Sequence, residues 1–307
     1  MAKRLLDCNA SDFQTFTKAD MIDSITKSEG RVLVCETIGT VMPMLGNVTN
    51  VEFAASMGAD ILLLNMFDVN APVINGLPPC AARDVIHEVK HLTGRLVGIN
   101  LEPVEDEYEC DTDEMWAMTE GRRATLENAK KACDMGVNMI VLTGNPGNGI
   151  SNKAITDTLG KYKKNLGDRI VLAAGKMHAS GVLSEAGEKI ITKEDIKEFV
   201  DAGADVILMP APGTVPGITM EYIRDLVSYA HSLHVLTLTS IGTSQEGADV
   251  DTIRQIALLC KMTGTDMHHL GDSGYTGVSL PENITAYSIV IRGVRHTYHR
   301  MAASIER

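Results

Sequence analysis

Arg169-Ile-Val-Leu-Ala-Ala-Gly-Lys-Met-His178 is a short run of apolar and small residues that ends in a lysine and a histidine. It reads as a buried strand. Side chains alternate along a strand, so Lys176 and His178 fall on one face, two residues apart. In a closed parallel barrel one face of every strand points inward, and packing alone gives no reason to put a lysine and a histidine there. The stretch is therefore expected to be the fifth of eight strands of a (β/α)8 TIM barrel, with its end in a functional site.

The flanking sequence supplies the other strands. Before it come Arg31-Val-Leu-Val-Cys-Glu36, Asp60-Ile-Leu-Leu-Leu-Asn65, Arg95-Leu-Val-Gly-Ile-Asn-Leu-Glu102 and Val137-Asn-Met-Ile-Val-Leu-Thr143. After it come Ala204-Asp-Val-Ile-Leu-Met209, His234-Val-Leu-Thr-Leu-Thr239 and Thr265-Asp-Met-His-His-Leu270. Helical patterns lie between them over 50–57, 82–93, about 114–135, 192–202, 219–231 and 249–262, with a last helix from Pro281. Apolar strands alternating with helices imply a parallel sheet. Eight such units in about 270 residues fit a TIM barrel, and an open doubly wound sheet is the alternative.

One turn recurs: Ser56-Met-Gly-Ala-Asp60, Asp134-Met-Gly-Val-Asn138, Asp201-Ala-Gly-Ala-Asp205 and Met262-Thr-Gly-Thr-Asp266. Glycine supplies the left-handed helix end and the polar residue opens the next strand. Residues 1–30 read as a cap over the N-terminal mouth, with a capping box at Thr17-Lys-Ala-Asp20. The whole of 1–307 is expected to be one barrel domain.

Composition narrows the function class. Hydrophobic residues are 44% and charged residues 22% of the 307, as in a soluble globular protein. The net charge of -12 argues against nucleic acid or an anionic membrane surface as partner. Six dispersed cysteines without a C-x-x-C pair favour reduced thiols and a cytoplasmic location. The opening residues lack a signal peptide's apolar run, and no window reaches the roughly 20 apolar residues of a membrane span.

TIM-barrel sites lie at the C-terminal ends of the strands, so candidates are taken from there. Lys176, His178 and Glu102 are the candidate catalytic residues: Lys176 as a fixed cation, with a Schiff base as alternative, and His178 as general acid or base. Glu36, Asp68 and Glu102 are candidate hard-oxygen ligands for a divalent metal such as Mg2+. The alternative for these carboxylates is an ion pair with Lys176. Asn65, Asn100 and Asn145 are candidate substrate ligands.

Two glycine loops follow strands seven and eight, Ser240–Gly247 and Gly271–Gly277. They offer Ser240, Gly242, Thr243, Gly271, Asp272, Ser273 and Gly274 to an anion such as phosphate. His268 and His269 point to opposite faces, and His268, in phase with Asp272, is expected to enter the barrel. Pro210–Gly217 reads as a stiff pocket wall, and the acidic stretch Val104–Met115 as a lid or a solvated loop. No nucleotide-cofactor motif is evident.

The glycine loops resemble those of the ribulose-phosphate-binding barrels. Asn50-Val-Glu-Phe-Ala-Ala-Ser-Met-Gly-Ala-Asp60 and Ala202-Gly-Ala-Asp-Val-Ile-Leu208 resemble the phosphoenolpyruvate mutase/isocitrate lyase family. That family's acidic metal cluster and its loop of lysine or arginine followed by Cys-Gly do not occur here. No catalytic role is carried over, and the chain is expected to belong to a poorly characterised bacterial barrel family.

These readings imply an enzyme for a small phosphorylated or carboxylated metabolite, with lyase or isomerase chemistry through an enolate or oxyanion. A metal-assisted hydrolase and a non-catalytic ligand-sensing barrel are the alternatives. The expected partners are an anionic small molecule and further copies of the chain, with no nucleic acid and no membrane.

Overall fold

Eight parallel strands pair in chain order and the eighth closes on the first. The computed structural model describes residues 3–104, 118–144 and 150–307. The strands are β1 (Val32–Ile38), β2 (Ile61–Asn65), β3 (Leu96–Leu101), β4 (Met139–Leu142), β5 (Val171–Gly175), β6 (Val206–Pro210), β7 (Leu236–Ile241) and β8 (Met267–Leu270). The helices are α1 (Ala10–Gln14), α2 (Lys18–Thr26), α3 (Asn50–Ser56), α4 (Val85–Thr93), α5 (Leu126–Asp134), α6 (Asn152–Leu166), α7 (Lys193–Ala202), α8 (Met220–Ser232), α9 (Val250–Thr263) and α10 (Pro281–Ala302). The fold is the expected (β/α)8 barrel. Among the described residues no helix is long and apolar enough to cross a membrane.

Two helix assignments change. The helix expected from about Glu114 begins only at Leu126, because Thr125 caps it: its Oγ accepts the Asn128 N–H at 3.1 Å. Helix α6, capped by Ser151, is an addition to the helices expected from the sequence; it buries a stripe of Ile155, Leu159, Tyr162 and Leu166.

Strand alternation divides the core in two. Val32, Val34, Ile61, Leu63, Leu96, Met139, Val141, Val171, Ala173, Val206, Leu208, Leu236, Leu238 and Met267 fill the barrel. Leu5, Cys8, Phe13, Met21 and Ile25 join them, so the N-terminal segment plugs one mouth. The intervening residues, such as Leu33, Leu62, Val97, Ile140, Leu172, Ile207 and Leu270, pack against the helices.

The recurrent turn explains how the register is held. Gly58, Gly136, Gly203 and Gly264 all have positive φ. The polar residue two positions on accepts a backbone N–H from the preceding strand in every copy. Asp60 takes Leu33 at 2.8 Å, Asn138 takes Val97 at 3.1 Å, Asp205 takes Leu172 at 2.8 Å and Asp266 takes Thr237 at 2.8 Å.

Asp60 does more than its counterparts. It is fully buried and meets Arg292 and, at 2.7 Å, Arg300 Nε. Arg300 also donates to the carbonyls of Cys8 (3.0 Å) and Leu5 (2.6 Å). Burial pushes the Asp60 carboxyl up, and Arg292, Arg300 and the Leu33 N–H more than reverse this, so the net direction is down. This clamp ties β2, α10 and the plug together.

Candidate active site

At the opposite mouth the inward-facing series turns polar. Glu36 on β1, Asn65 on β2, Asn100 on β3 and Thr143 after β4 line a cavity of about 270 Å³. Met66, Glu102, Arg122, Gly144, Met177, His178, Gly242, Thr243, Glu246, Gly271 and Asp272 complete it.

A chain of amides forms one wall. Asn100 Nδ2 donates to Glu36 Oε1 at 2.6 Å and to Asn65 Oδ1 at 3.2 Å. Asn65 Nδ2 donates to Asp272 Oδ2 at 2.7 Å. Two carboxyls are thus linked through two side-chain amides. Burial pushes the Glu36 carboxyl well above the usual carboxylate range; Asp272 and Glu246 push the same way, and the Asn100 amide opposes them. Burial also raises Asp272 and Glu246.

Beneath Glu36 lies His269, fully buried. Its Nδ1 is 2.6 Å from Ser240 Oγ, and its Nε2, which has no hydrogen-bond partner among the described residues, is 3.6 Å from Glu36 Oε2. Burial holds this imidazole down to about 4, so it is neutral at physiological pH and gives Glu36 no counter-charge. At the rim, His178 shares a 2.8 Å hydrogen bond through Nδ1 with Ser180 Oγ, and burial lowers its pKa.

Local backbone sets these positions. Gly175 ends β5 where a Cβ would lie 1.9 Å from the Leu208 carbonyl oxygen, so only glycine fits there. The inward series of β5 runs through Ala173 to Met177, which packs against the barrel interior. Met66 (φ 55°) and Thr243 (φ 64°) both line the cavity in the left-handed region. Thr243 is β-branched, and such conformations persist where the surroundings enforce them and gather at functional sites.

Several sequence-derived assignments need correction. Lys176 is buried, just past the end of β5, and is not among the residues that line the cavity. His268 faces outward, with Nδ1 3.1 Å from Tyr287 Oη and Nε2 3.0 Å from the Gly30 carbonyl. β8 ends at Leu270, so the phase of Asp272 does not extend back to His268.

The proposed metal ligands do not converge. Asp68 accepts the N–H groups of Asn70 and Ala71 outside the cavity lining, and Glu102 pairs with Arg122. Among the described residues no three His, Cys, Asp or Glu are arranged to hold a metal.

The glycine loops are only partly available to an anion. Gly242, Thr243 and Gly271 reach the cavity. The Ser273 N–H is taken by Glu246 Oε1 at 2.9 Å and the Gly274 N–H by Asp272 Oδ1 at 2.8 Å. Ser240 lies below the lining, on His269. Asn145 and all but the first residue of Val104–Met115 lie outside the described residues.

Sequence reasoning missed Arg122, Glu246 and His269. Arg122 was absorbed into the overextended helix; the chain instead returns beside β3, where Glu102 N donates to the Arg122 carbonyl at 2.9 Å. Glu246 was passed over as one residue of a glycine loop. The inward direction of His269 follows from the barrel-filling residue two before it, Met267.

Residues 6–307 match the family model described as Domain of unknown function (DUF7916). The chain belongs to this family. No curated protein matches the sequence. Among solved structures, an archaeal fructose 1,6-bisphosphate aldolase is similar at 11% identity and a TM-score of 0.56, over 88% of this chain and 98% of that one. Thiamine phosphate pyrophosphorylase from Pyrococcus furiosus is similar at 13% identity and a TM-score of 0.48, over 86% of this chain and 96% of that one. At this identity the likeness of the DUF7916 chain to the aldolase is one of fold.

Proposed function

We propose that this barrel is an enzyme that moves a proton on a small carboxylated or phosphorylated metabolite, in a lyase or isomerase reaction through an enolate or similar oxyanion. The observation that carries the reading is Glu36: a buried carboxyl at the cavity wall, held by an amide, next to two further buried carboxyls. Raised in this way, it stays protonated and can donate to a developing oxyanion. Burial raises Asp272 and Glu246 in the same direction, which weakens their opposition to an anionic substrate.

Arg122, paired with Glu102, offers the lining a guanidinium whose several N–H donors suit a carboxylate or phosphate group. His178, neutral because its pKa is lowered, can accept the proton removed from carbon.

The test is deuterium incorporation from D2O, followed by NMR, at the carbon next to the carbonyl in a panel of 2-oxo acids and sugar phosphates. The wild type should catalyse exchange in at least one compound, and Glu36→Gln should reduce it at least about a hundredfold, in the range of lost acid–base catalysis. Exchange unaffected by Glu36→Gln would overturn the assignment.

A further inference from the structure

A second cavity, of about 550 Å³, adjoins the polar one and shares His178 and Thr243 with it. Its lining is of another kind. Ala179, Leu183 and Ala186 come from the loop after β5, and Val215 and Pro216 from the proline-rich loop after β6. Leu183 is 88% exposed, an apolar side chain held out at the edge of the groove.

The walls are braced from outside. Tyr222 Oη on α8 bonds the Glu188 carbonyl at 2.7 Å and the Ile191 carbonyl at 2.8 Å, which fixes the far end of the first loop. Thr214 Oγ1 donates to the Ala211 carbonyl at 2.8 Å and closes the second loop on itself. Thr243 Oγ1 reaches the Thr214 carbonyl at 3.4 Å and joins that loop to the polar cavity. An aliphatic groove that opens only to water would be a cost to the fold; one that continues a polar cavity suits a ligand with two ends.

We infer that the substrate is amphipathic: a carboxylate or phosphate head in the polar cavity and an unbranched aliphatic tail in the groove between the β5 and β6 loops. The identity of the head rests on the proposed function; the tail rests on the groove. The carboxylate series from 2-oxobutanoate to 2-oxooctanoate separates the two, with binding measured by calorimetry on the full chain. Each added methylene should lower Kd about fourfold, near the value for burying that group. Ala186→Trp fills the groove and Leu183→Asp charges its edge; both positions are exposed, so the fold should survive. In both variants 2-oxooctanoate should lose its advantage, about tenfold or more, while 2-oxobutanoate binds as before.

A Kd that does not change with chain length, or an advantage kept in both variants, would overturn the tail subsite and leave the head reading standing. Tight 2-oxooctanoate binding that survives Arg122→Gln and Glu36→Gln but is lost in Ala186→Trp would keep the groove and remove the head assignment. If no acid of any length binds, both assignments fall for carboxylates.

Discussion

Asp60 and Glu36 are both buried carboxyls in one barrel, and their surroundings drive them in opposite directions. Asp60 faces Arg292 and Arg300 and accepts a backbone N–H; its pKa falls. Glu36 faces an amide, a neutral histidine and two further carboxyls; its pKa rises. Burial costs a charge several kcal/mol unless it is paired. Where the chain supplies the pair, the residue acts as a clamp. At the other mouth it does not, and a group that gains by being protonated, or by meeting a ligand, is what a reactive site needs.

The largest expected effect tests the clamp. Asp60→Ala leaves two buried guanidinium groups without their carboxylate and should cost about 3–5 kcal/mol, read by urea unfolding. A loss below about 1 kcal/mol would place Asp60 with ordinary surface pairs and remove one side of the contrast.

Next is the effect of Glu36→Gln on stability, where the sign is opposite. A raised pKa contributes stability that is complete below the ordinary carboxylate range and is lost as pH rises through the raised value. The variant should therefore melt higher than wild type at neutral and alkaline pH, by roughly 2–4 °C for each kcal/mol recovered, and no higher at acid pH. Asp60 predicts the mirror image: its depressed pKa adds stability above the ordinary range that is lost only as pH falls through the lowered value. Thermal melts across pH for wild type, Glu36→Gln and Asp60→Asn would resolve both.

Arg122→Gln sharpens the comparison on the ligand side. It should weaken a 2-oxo acid about tenfold or more, the scale of one charged hydrogen bond, whereas Lys176→Met should leave that Kd unchanged even if it lowers stability. The smallest effect separates the two histidines of β8. His268→Gln disturbs the Tyr287 and Gly30 bonds and should cost about 1–3 kcal/mol with ligand affinity intact, while His269→Gln should alter the pH dependence of binding. Equal effects from both would contradict their opposite orientations.

The fold was legible because it repeats. Four Gly-x-Asp/Asn turns, each with its N–H-accepting side chain, and alternating apolar runs left few topologies open. Glu36, Asn65, Asn100, Thr243 and Asp272 could be placed at the mouth from strand ends alone. Phase was the weak link. His268 is in phase with Asp272 only on paper, because β8 ends between them at Leu270 and His268 bonds Tyr287 and Gly30; Lys176 lies past the end of β5, where strand alternation no longer decides its side. Arg122 returns to the site from a segment distant in sequence, and Glu246 acts through loop backbone; strand periodicity reports neither.

The most direct test is the ionisation of Glu36 itself, followed through the 13C shift of its side-chain carboxyl in the ligand-free protein, assigned by comparison with Glu36→Gln. The account predicts a carboxyl still protonated at neutral pH, with its titration step displaced to the alkaline side of every exposed glutamate. A Glu36 signal that titrates with the exposed glutamates, or on their acid side, would contradict it.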